Sequence, residues 1–100
     1  MRRKPSKSHD EGVVRELRND PGLAAAYLKE ALEDTNEPAV LLIALRRVAE
    51  GRGGIAKIAK AAGVERESLY RALSTKGNPR LSTLFAVVKA VGLRLTLEAQ

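Results

Sequence analysis

The sequence predicts one all-α domain of five to six short helices, followed by one short C-terminal strand. Three observations support this prediction. The chain has 100 residues, of which 44% are hydrophobic and 3% aromatic, enough for a single modest core. Apolar residues recur at helical spacing in successive stretches that glycine or proline separates. Period-two alternation of apolar and polar residues is seen at residues 93–97, which predicts the strand.

The N-terminal part of the chain predicts a tail and two helices. Residues 1–9 are basic and nearly free of large apolar side chains, so we expect a disordered tail. Asp10 is the predicted N-cap of a short helix that ends near residue 18. Asp20 followed by Pro21 predicts the start of the next helix. The apolar stripe of that helix is formed by Leu23, Tyr27, Leu28, Ala31 and Leu32.

Four more helices complete the predicted domain, which spans residues 10–100. The third helix begins at Pro38, because proline disfavours the helical conformation at the preceding residue. Gly51, Gly53 and Gly54 end it. Gly63 and the turn-rich stretch 74–79 separate the remaining three helices. Those helices are predicted over residues 55–62, 66–74 and about 81–91.

The predicted strand at residues 93–97 needs a partner, because a lone strand leaves backbone N–H and C=O groups unpaired. We therefore predict a homodimer in which this segment pairs antiparallel with its copy in a second chain. Leu93, Leu95 and Leu97 are the predicted dimer-interface residues. The alternative is an extended tail that packs on the helices without a ladder.

Charge is unevenly distributed along the chain, whose formal net charge is +6. Residues 52–80 contain seven basic and two acidic residues, whereas residues 10–37 contain three basic and eight acidic residues. The first region favours a polyanion as partner, and the second favours a basic protein. Ordinary solvated helix faces would give the same composition, so charge alone does not decide between these interpretations.

Residues 55–74, IAKIAKAAGVERESLYRALS, match the requirements of a helix-turn-helix. Ala59 is small where the second helix must cross closely, and Gly63 lies in the turn, where a positive φ is needed. The apolar residues expected to face the core are Ile58, Ala62, Val64, Leu69, Ala72 and Leu73. A packed helical hairpin is the alternative, but it does not require basic and aromatic groups on the outer face of the second helix.

The outward side of the second motif helix is the predicted DNA-reading surface. Arg66, Glu67, Tyr70 and Arg71 remain there once the apolar positions are assigned to the core. We expect Arg66 on a base edge and Tyr70 shared between base and phosphate, since arginine on guanine is the commonest specific contact. Glu67 and Arg71 are also spaced for an ion pair within the helix, which would partly hold Arg71.

Residues that flank the two helices are predicted to position the protein on the DNA backbone. Gly54 opens the first motif helix, so the N–H groups there can approach a phosphate, and Lys57 lies in its first turn. Lys76, Asn78 and Arg80 follow the reading helix. Turn chemistry alone is the alternative role for these three residues, and it applies to Asn78 more than to Lys76 and Arg80. The basic tail could reach an adjacent groove, but we favour a charged, solubilising terminus as its explanation. The predicted partner is double-stranded operator DNA.

Several function classes lack their usual chemistry here. Cysteine is absent, and His9, the single histidine, lies in the predicted tail, so we expect no catalytic site, no metal site and no cofactor. The longest apolar run, residues 39–45, is far shorter than the roughly 20 residues of a membrane helix. The basic start leads into polar residues rather than an export signal. We therefore expect a cytoplasmic protein that is not an enzyme.

With these residues in place, the chain resembles the probable addiction-module antidote proteins, small Xre-like helix-turn-helix antitoxins of the Cro/repressor type. The resemblance covers residues 19–98 and is carried by DPGLAAAYLKEALED at 20–34 and by GVERESLYRALSTKGNPRLSTLFAVVKAVGLRLTL at 63–97. It implies a dimeric DNA-binding domain, repression of its own operon and neutralisation of a small toxin of the RelE/ParE type.

Two features differ from the family pattern. Glu65 stands where the family often has serine as the cap of the reading helix, so that cap is weaker here. The 19 N-terminal residues are more than a minimal member needs. Two other functions remain open: a stand-alone helix-turn-helix regulator, and a protein-interaction module that has lost DNA binding.

Overall fold

The computed structural model describes residue 12, residues 14–33 and residues 36–100. Five helices have described bounds: α1 Pro21–Glu33, α2 Pro38–Gly51, α3 Ile55–Ala62, α4 Arg66–Ala72 and α5 Leu81–Ala90. Residues 14–17, which precede α1, are also helical. The described chain is thus all-helical, as predicted. The predicted tail and the predicted cap Asp10 lie outside the described residues.

The starts of α1 and α2 follow the signals in the sequence. Asp20 Oδ1 accepts a hydrogen bond from the Leu23 N–H at 2.9 Å, so this carboxylate caps α1 as expected. Pro38 occupies the first turn of α2 behind Glu37, whose backbone is extended at φ −91° and ψ 116°. Both helices therefore begin where a proline without an N–H costs no intrahelical hydrogen bond.

The core is aliphatic and draws on every helix. α3 packs most extensively against α5, and α1 against α2. Among the described residues, no polar or charged side chain is buried. The buried residues are Leu17, Ala24, Leu28, Leu42, Ala44, Leu45, Val48, Ala49, Ile58, Ala59, Leu69, Leu73, Val87, Val88 and Val91.

The predicted stripe of α1 is partly wrong. Leu28 is buried and Tyr27 is half-buried, but Leu23 is 37% and Leu32 55% exposed. The buried face is instead centred on Ala24, which is fully buried. A small side chain at this position lets α1 approach its neighbours closely, so the flanking leucines turn towards the edges of the contact.

The chain segment around residue 51 holds the N-terminal helical residues against the core. A Cβ atom added to Gly51 would lie 2.6 Å from the carbonyl oxygen of Val14 and 2.7 Å from Cβ of Leu17. Arg52 Nη1 donates to the carbonyl oxygen of Arg18 at 3.0 Å, and Arg52 Nε donates to that of Val91 at 3.0 Å. One guanidinium thus joins the segment before α1 to the end of α5.

One of the last two helices ends earlier than predicted. α4 ends at Ala72 instead of residue 74, whereas α5 ends at Ala90, in agreement with the predicted end at about residue 91. After α4, the Ser74 hydroxyl donates to the carbonyl oxygen of Arg71 at 2.7 Å, which occupies the acceptor that another helical turn would use. Beyond α5, Gly92 has a φ of +92°, which stops the helix.

The strand predicted over residues 93–97 is not formed in the single chain, and no strand occurs among the described residues. Leu93 is half-buried against the core, and its N–H donates to the carbonyl oxygen of Val88 at 3.0 Å. Leu95 is 52% and Leu97 fully exposed. A ladder requires a second strand to accept and donate its hydrogen bonds, so pairing with another copy stays a prediction.

Candidate nucleic-acid interface

α3 and α4 are joined by a tight turn at Gly63. Gly63 has a φ of +76°, a conformation that a residue with a Cβ adopts only at a cost. Its N–H donates to the carbonyl oxygen of Lys60 at 3.2 Å, and the Val64 N–H donates to that of Ala59 at 3.0 Å. This pair of hydrogen bonds is the Schellman closure of a helix C-terminus. Ala59 itself is buried, as expected for a residue at the crossing.

α4 divides into an apolar side and a polar side. Leu69 and, just after the helix, Leu73 are buried at 1% and 0% exposure. Arg66, Glu67, Tyr70 and Arg71 are all exposed on the other side, and we call these four residues the recognition face. The ion pair anticipated between Glu67 and Arg71 is not formed within this described segment. Both side chains therefore point to solvent without holding each other.

The N-terminus of α4 lacks a side-chain cap, in line with the weak cap expected from Glu65 at this position. Glu65 is the N-cap residue, with φ −70° and ψ 145°, but its carboxylate makes no capping hydrogen bond. The Ser68 hydroxyl instead donates to Glu65 Oε1 at 3.4 Å. The first backbone N–H groups of α4 therefore remain without a side-chain acceptor from this position.

The loop after α4 is packed against the end of that helix. The Gly77 N–H donates to the carbonyl oxygen of Ser74 at 2.9 Å. A Cβ atom on Gly77 would overlap the carbonyl group of Ala72, so the backbone approach here requires glycine. Lys76, Asn78 and Arg80 are exposed in this loop. The packing places their segment directly beside the C-terminal end of the recognition face.

The start of α3 only partly fits its predicted role. Gly54 is the N-cap residue with a φ of +97°, and Lys57 is exposed in the first turn. The N–H of Gly54, however, donates to the carbonyl oxygen of Ala49 at 2.9 Å. A phosphate at this end of α3 would therefore meet the next amides of the first turn rather than that of Gly54.

Arg46 of α2 contacts the recognition face, a contact that no sequence pattern predicted. Its guanidinium lies 4.2 Å from the centre of the Tyr70 ring, and Nη2 donates to the Tyr70 hydroxyl oxygen at 2.6 Å. Arg46 Nε lies 3.7 Å from Glu50 Oε2. The two contacting residues are 24 positions apart in the sequence, so the tertiary fold brings their side chains together.

Arg52 does not contribute to a free basic surface. It was counted among the basic residues of the second half, but its guanidinium donates to two backbone carbonyl groups.

The acidic segment of residues 10–37 includes exposed carboxylates on α1, those of Glu30 and Glu33. A groove of about 540 Å³ between α1 and α2 is lined by Glu30, Glu37, Val40 and Ile43, among others.

In the part of the chain that the structure describes, no three potential metal ligands cluster together. Each described helix is too short or too polar to cross a lipid bilayer.

Comparison with known proteins places the chain in a family. A family model described as probable addiction module antidote protein matches residues 11–99, which include all five helices and the α3–α4 turn. A protein of Haemophilus influenzae, described as uncharacterized, is 40% identical over 72 residues, which is 72% of this chain and 72% of that protein. No solved structure shows a significant match. The chain therefore belongs to the probable addiction module antidote protein family.

Proposed function

We propose that this protein is a DNA-binding antitoxin of a type II toxin-antitoxin system, which represses its own operon and neutralises a RelE/ParE-like toxin. Membership of the antidote family supports an antitoxin role, and with it a toxin partner. The observation that carries the DNA-binding part is the recognition face, an exposed row of charged and aromatic side chains backed by the buried Leu69 and Leu73.

In this proposal α3 and α4 form a helix-turn-helix of the Cro/repressor type. α4 enters the major groove, where Arg66 contacts a base edge and Tyr70 contacts a base or phosphate. Lys76, Asn78 and Arg80 lie along the phosphate backbone, together with Lys57 and the α3 N-terminus behind Gly54. Exposure of Lys57 and the three loop residues supports this arrangement, as does the packing of Gly77, which fixes their loop against α4.

A homodimer completes the proposed repressor. Residues 93–97 pair antiparallel with the same segment of a second copy, which satisfies the backbone groups that a single chain leaves open. The exposure of Leu95 and Leu97 supports this pairing. A two-fold dimer protects a palindrome whose half-sites are separated by about one helical turn, ~34 Å, or a multiple of it. A footprint with one unrepeated half-site would contradict the dimer.

The toxin-binding surface is proposed on the acidic part of the chain. Residues 10–37 carry eight acidic and three basic residues. Glu16, Asp20, Glu30 and Glu33 are exposed there, and the groove between α1 and α2 adds apolar surface beside them. A small basic toxin is attracted to such a surface, and apolar side chains from it can enter the groove.

Growth of a bacterial host tests the antitoxin role. The small reading frame next to this gene is induced alone, and then together with this chain. We expect growth arrest in the first case and relief in the second. A chain with Arg66→Ala and Lys76→Ala, which changes the DNA-binding residues alone, should still relieve arrest.

Two outcomes would replace the proposal. Without arrest by the neighbouring frame, a stand-alone DNA-binding regulator becomes the better description. If the chain binds no duplex at low salt, where even non-specific attraction to phosphates is strong, it is a protein-interaction module instead.

A further inference from the structure

Among the described residues, Tyr70 is the one member of the recognition face whose side chain has a hydrogen bond or ring contact from outside α4. Arg46 on α2 covers its ring at 4.2 Å and donates from Nη2 to its hydroxyl oxygen at 2.6 Å. A guanidinium within about 6 Å of a ring centre is attracted to the ring face. Because one planar group makes both contacts, it fixes the direction of the ring as well as the position of its oxygen.

The direction of this hydrogen bond assigns a role to the phenol. Arginine has no acceptor atom, so the Tyr70 oxygen must be the acceptor. Its own O–H is then left as a donor, and no described residue places an acceptor within hydrogen-bond distance of it. Tyr70 is 47% exposed, so its hydroxyl group can donate to an acceptor that approaches the recognition face from solvent.

We propose that Arg46 is a positioning residue of the DNA interface, which holds Tyr70 as a hydrogen-bond donor towards an acceptor on DNA. This inference rests on the proposed DNA binding. The acceptor is a phosphate oxygen or an acceptor atom on a base edge, such as purine N7. The amino groups of adenine and cytosine are donors themselves and do not fit. The interface thereby extends from the helix-turn-helix to α2.

Four variants test the coupling: Tyr70→Phe, Arg46→Met, their combination, and Arg15→Met. Arg15 is exposed in the segment before α1, so its variant removes the same charge away from the recognition face. The probe is a labelled duplex that the wild-type chain selects from a random pool, and binding is followed by anisotropy. Tyr70→Phe and Arg46→Met should each weaken binding about tenfold, the size expected when one hydrogen bond to a charged group is lost.

Non-additivity is the decisive result of that cycle. If Arg46 acts through Tyr70, the double variant binds about as well as Tyr70→Phe alone. A double variant weakened by the product of the two single losses would mean that Arg46 contacts DNA independently, which overturns the inference. Arg46→Lys keeps the charge without the planar fork, so it should bind as weakly as Arg46→Met. Wild-type binding by Arg46→Lys would also overturn it.

A spectroscopic measurement tests positioning without DNA. The chain has two tyrosines and no tryptophan, so Tyr27→Phe leaves Tyr70 as the single emitter. In this background Arg46→Met should lower the anisotropy of the Tyr70 emission, because the ring is released, while Arg15→Met should leave it unchanged. Equal anisotropy in all three chains would show that Arg46 does not hold Tyr70.

Modified duplexes identify the source of the acceptor. Neutral methylphosphonate linkages remove single phosphate charges, and base analogues such as 7-deazapurines remove single acceptor atoms. At one position, one of these changes should abolish the difference between wild type and Tyr70→Phe. If the difference survives at every position, Tyr70 is not a donor to DNA. A wild-type chain that binds no duplex would instead overturn the proposed function itself, whatever the anisotropy shows.

Discussion

Exposed basic residues of the proposed interface differ in what supports them. Arg66 lies in the first turn of α4, above the buried Leu69, so its backbone is held by the core. Lys76 lies in the loop after α4, and its flexible side chain carries a point charge. A planar guanidinium on a backbone that the core holds suits the reading of one base edge, whereas a flexible ammonium suits a phosphate.

Substitution of the two residues should therefore give different results. Arg66→Ala should relax the preference at one base pair, at a cost of about 1–3 kcal/mol for the preferred duplex. Lys76→Ala should weaken binding to all sequences alike. It should also reduce the slope of log binding constant against log salt concentration by about one unit. Titration of duplexes with single base changes at several salt concentrations separates the two effects. If neither substitution changes binding, the assignment of the recognition face is wrong.

At the level of single residues, the sequence predicted which side chains are exposed better than it predicted the contacts of those side chains. The recognition face was predicted from helical spacing and the burial of Leu69 and Leu73, and all four side chains are exposed. Arg46 carried no such signal. Its spacing to Glu50 indicates an ordinary pair within a helix, and its contact with Tyr70 depends on how α2 and α4 pack. Glu67 and Arg71 show the reverse case. Their spacing favoured an ion pair within the helix, yet both side chains remain in solvent.

Among the helices, α4 depends most on its neighbours. It has only seven residues, and an isolated helix of that length is unstable in water. Its N-terminus lacks a side-chain cap, so the Gly63 turn, the buried leucines and the Gly77 contact hold it in place. The orientation of the recognition face is thus set by the junctions at the two ends of α4.

Gly77→Ala tests the junction at the C-terminal end. The added methyl group would overlap the Ala72 carbonyl, so the loop must move away from α4. We expect a loss of about 1–3 kcal/mol in the free energy of unfolding, as for other overpacked sites. DNA binding should weaken as well, because Lys76 moves with the loop.

Gly22→Ala is the matched control for that substitution. Its added Cβ would make only an ordinary contact, 3.4 Å from Asp20 Oδ1, in the first turn of α1. Replacement of a helical glycine by alanine should raise stability by about 0.5–1 kcal/mol. Urea denaturation of both variants measures the two changes. Equal stabilities for Gly77→Ala and wild type would mean that the loop is not packed on α4 in solution.

Helix starts were predictable from the sequence because their causes are local. Asp20 and Pro38 act within one turn of their own position. The buried face of α1 was harder to predict, since Leu23 and Leu32 are more apolar than Ala24, whereas close packing selects the small residue. The strand could not be tested by one chain at all, because its hydrogen-bond partners belong to another molecule in the proposal.

For the whole molecule, the proposed functions occupy separate regions. The recognition face and its loop lie in the basic second half, and the proposed toxin surface lies on the acidic segment of residues 10–37. The C-terminal segment, with Leu97 fully exposed, is left for the second copy. A chain of this size can therefore contact DNA, a toxin and its own copy through different residues.

Leu97→Lys tests the proposed dimer. The side chain is fully exposed in the single chain, so its replacement should leave the helical content unchanged, as far-UV circular dichroism measures. Across a two-fold axis the new charges would repel, and the apolar contact would be lost. Sedimentation equilibrium should show a shift from dimer to monomer. Leu81→Lys, at another exposed leucine, adds the same charge outside the segment and should remain dimeric. Dimers of equal strength in both variants would place the interface elsewhere.

The two hydrogen bonds of Arg52 have a consequence for how distant surfaces communicate. One guanidinium holds the carbonyl group of Arg18, just before the acidic helix α1, and that of Val91, just before the segment proposed to pair. Fraying of either end would break one of the two hydrogen bonds of this side chain. In the proposed dimer, an ordered C-terminal segment would keep the guanidinium in place to hold the Arg18 carbonyl group. In the proposed complex, thermodynamic reciprocity would then couple self-association to capture of a toxin on the acidic side, with Arg52 as the shared element.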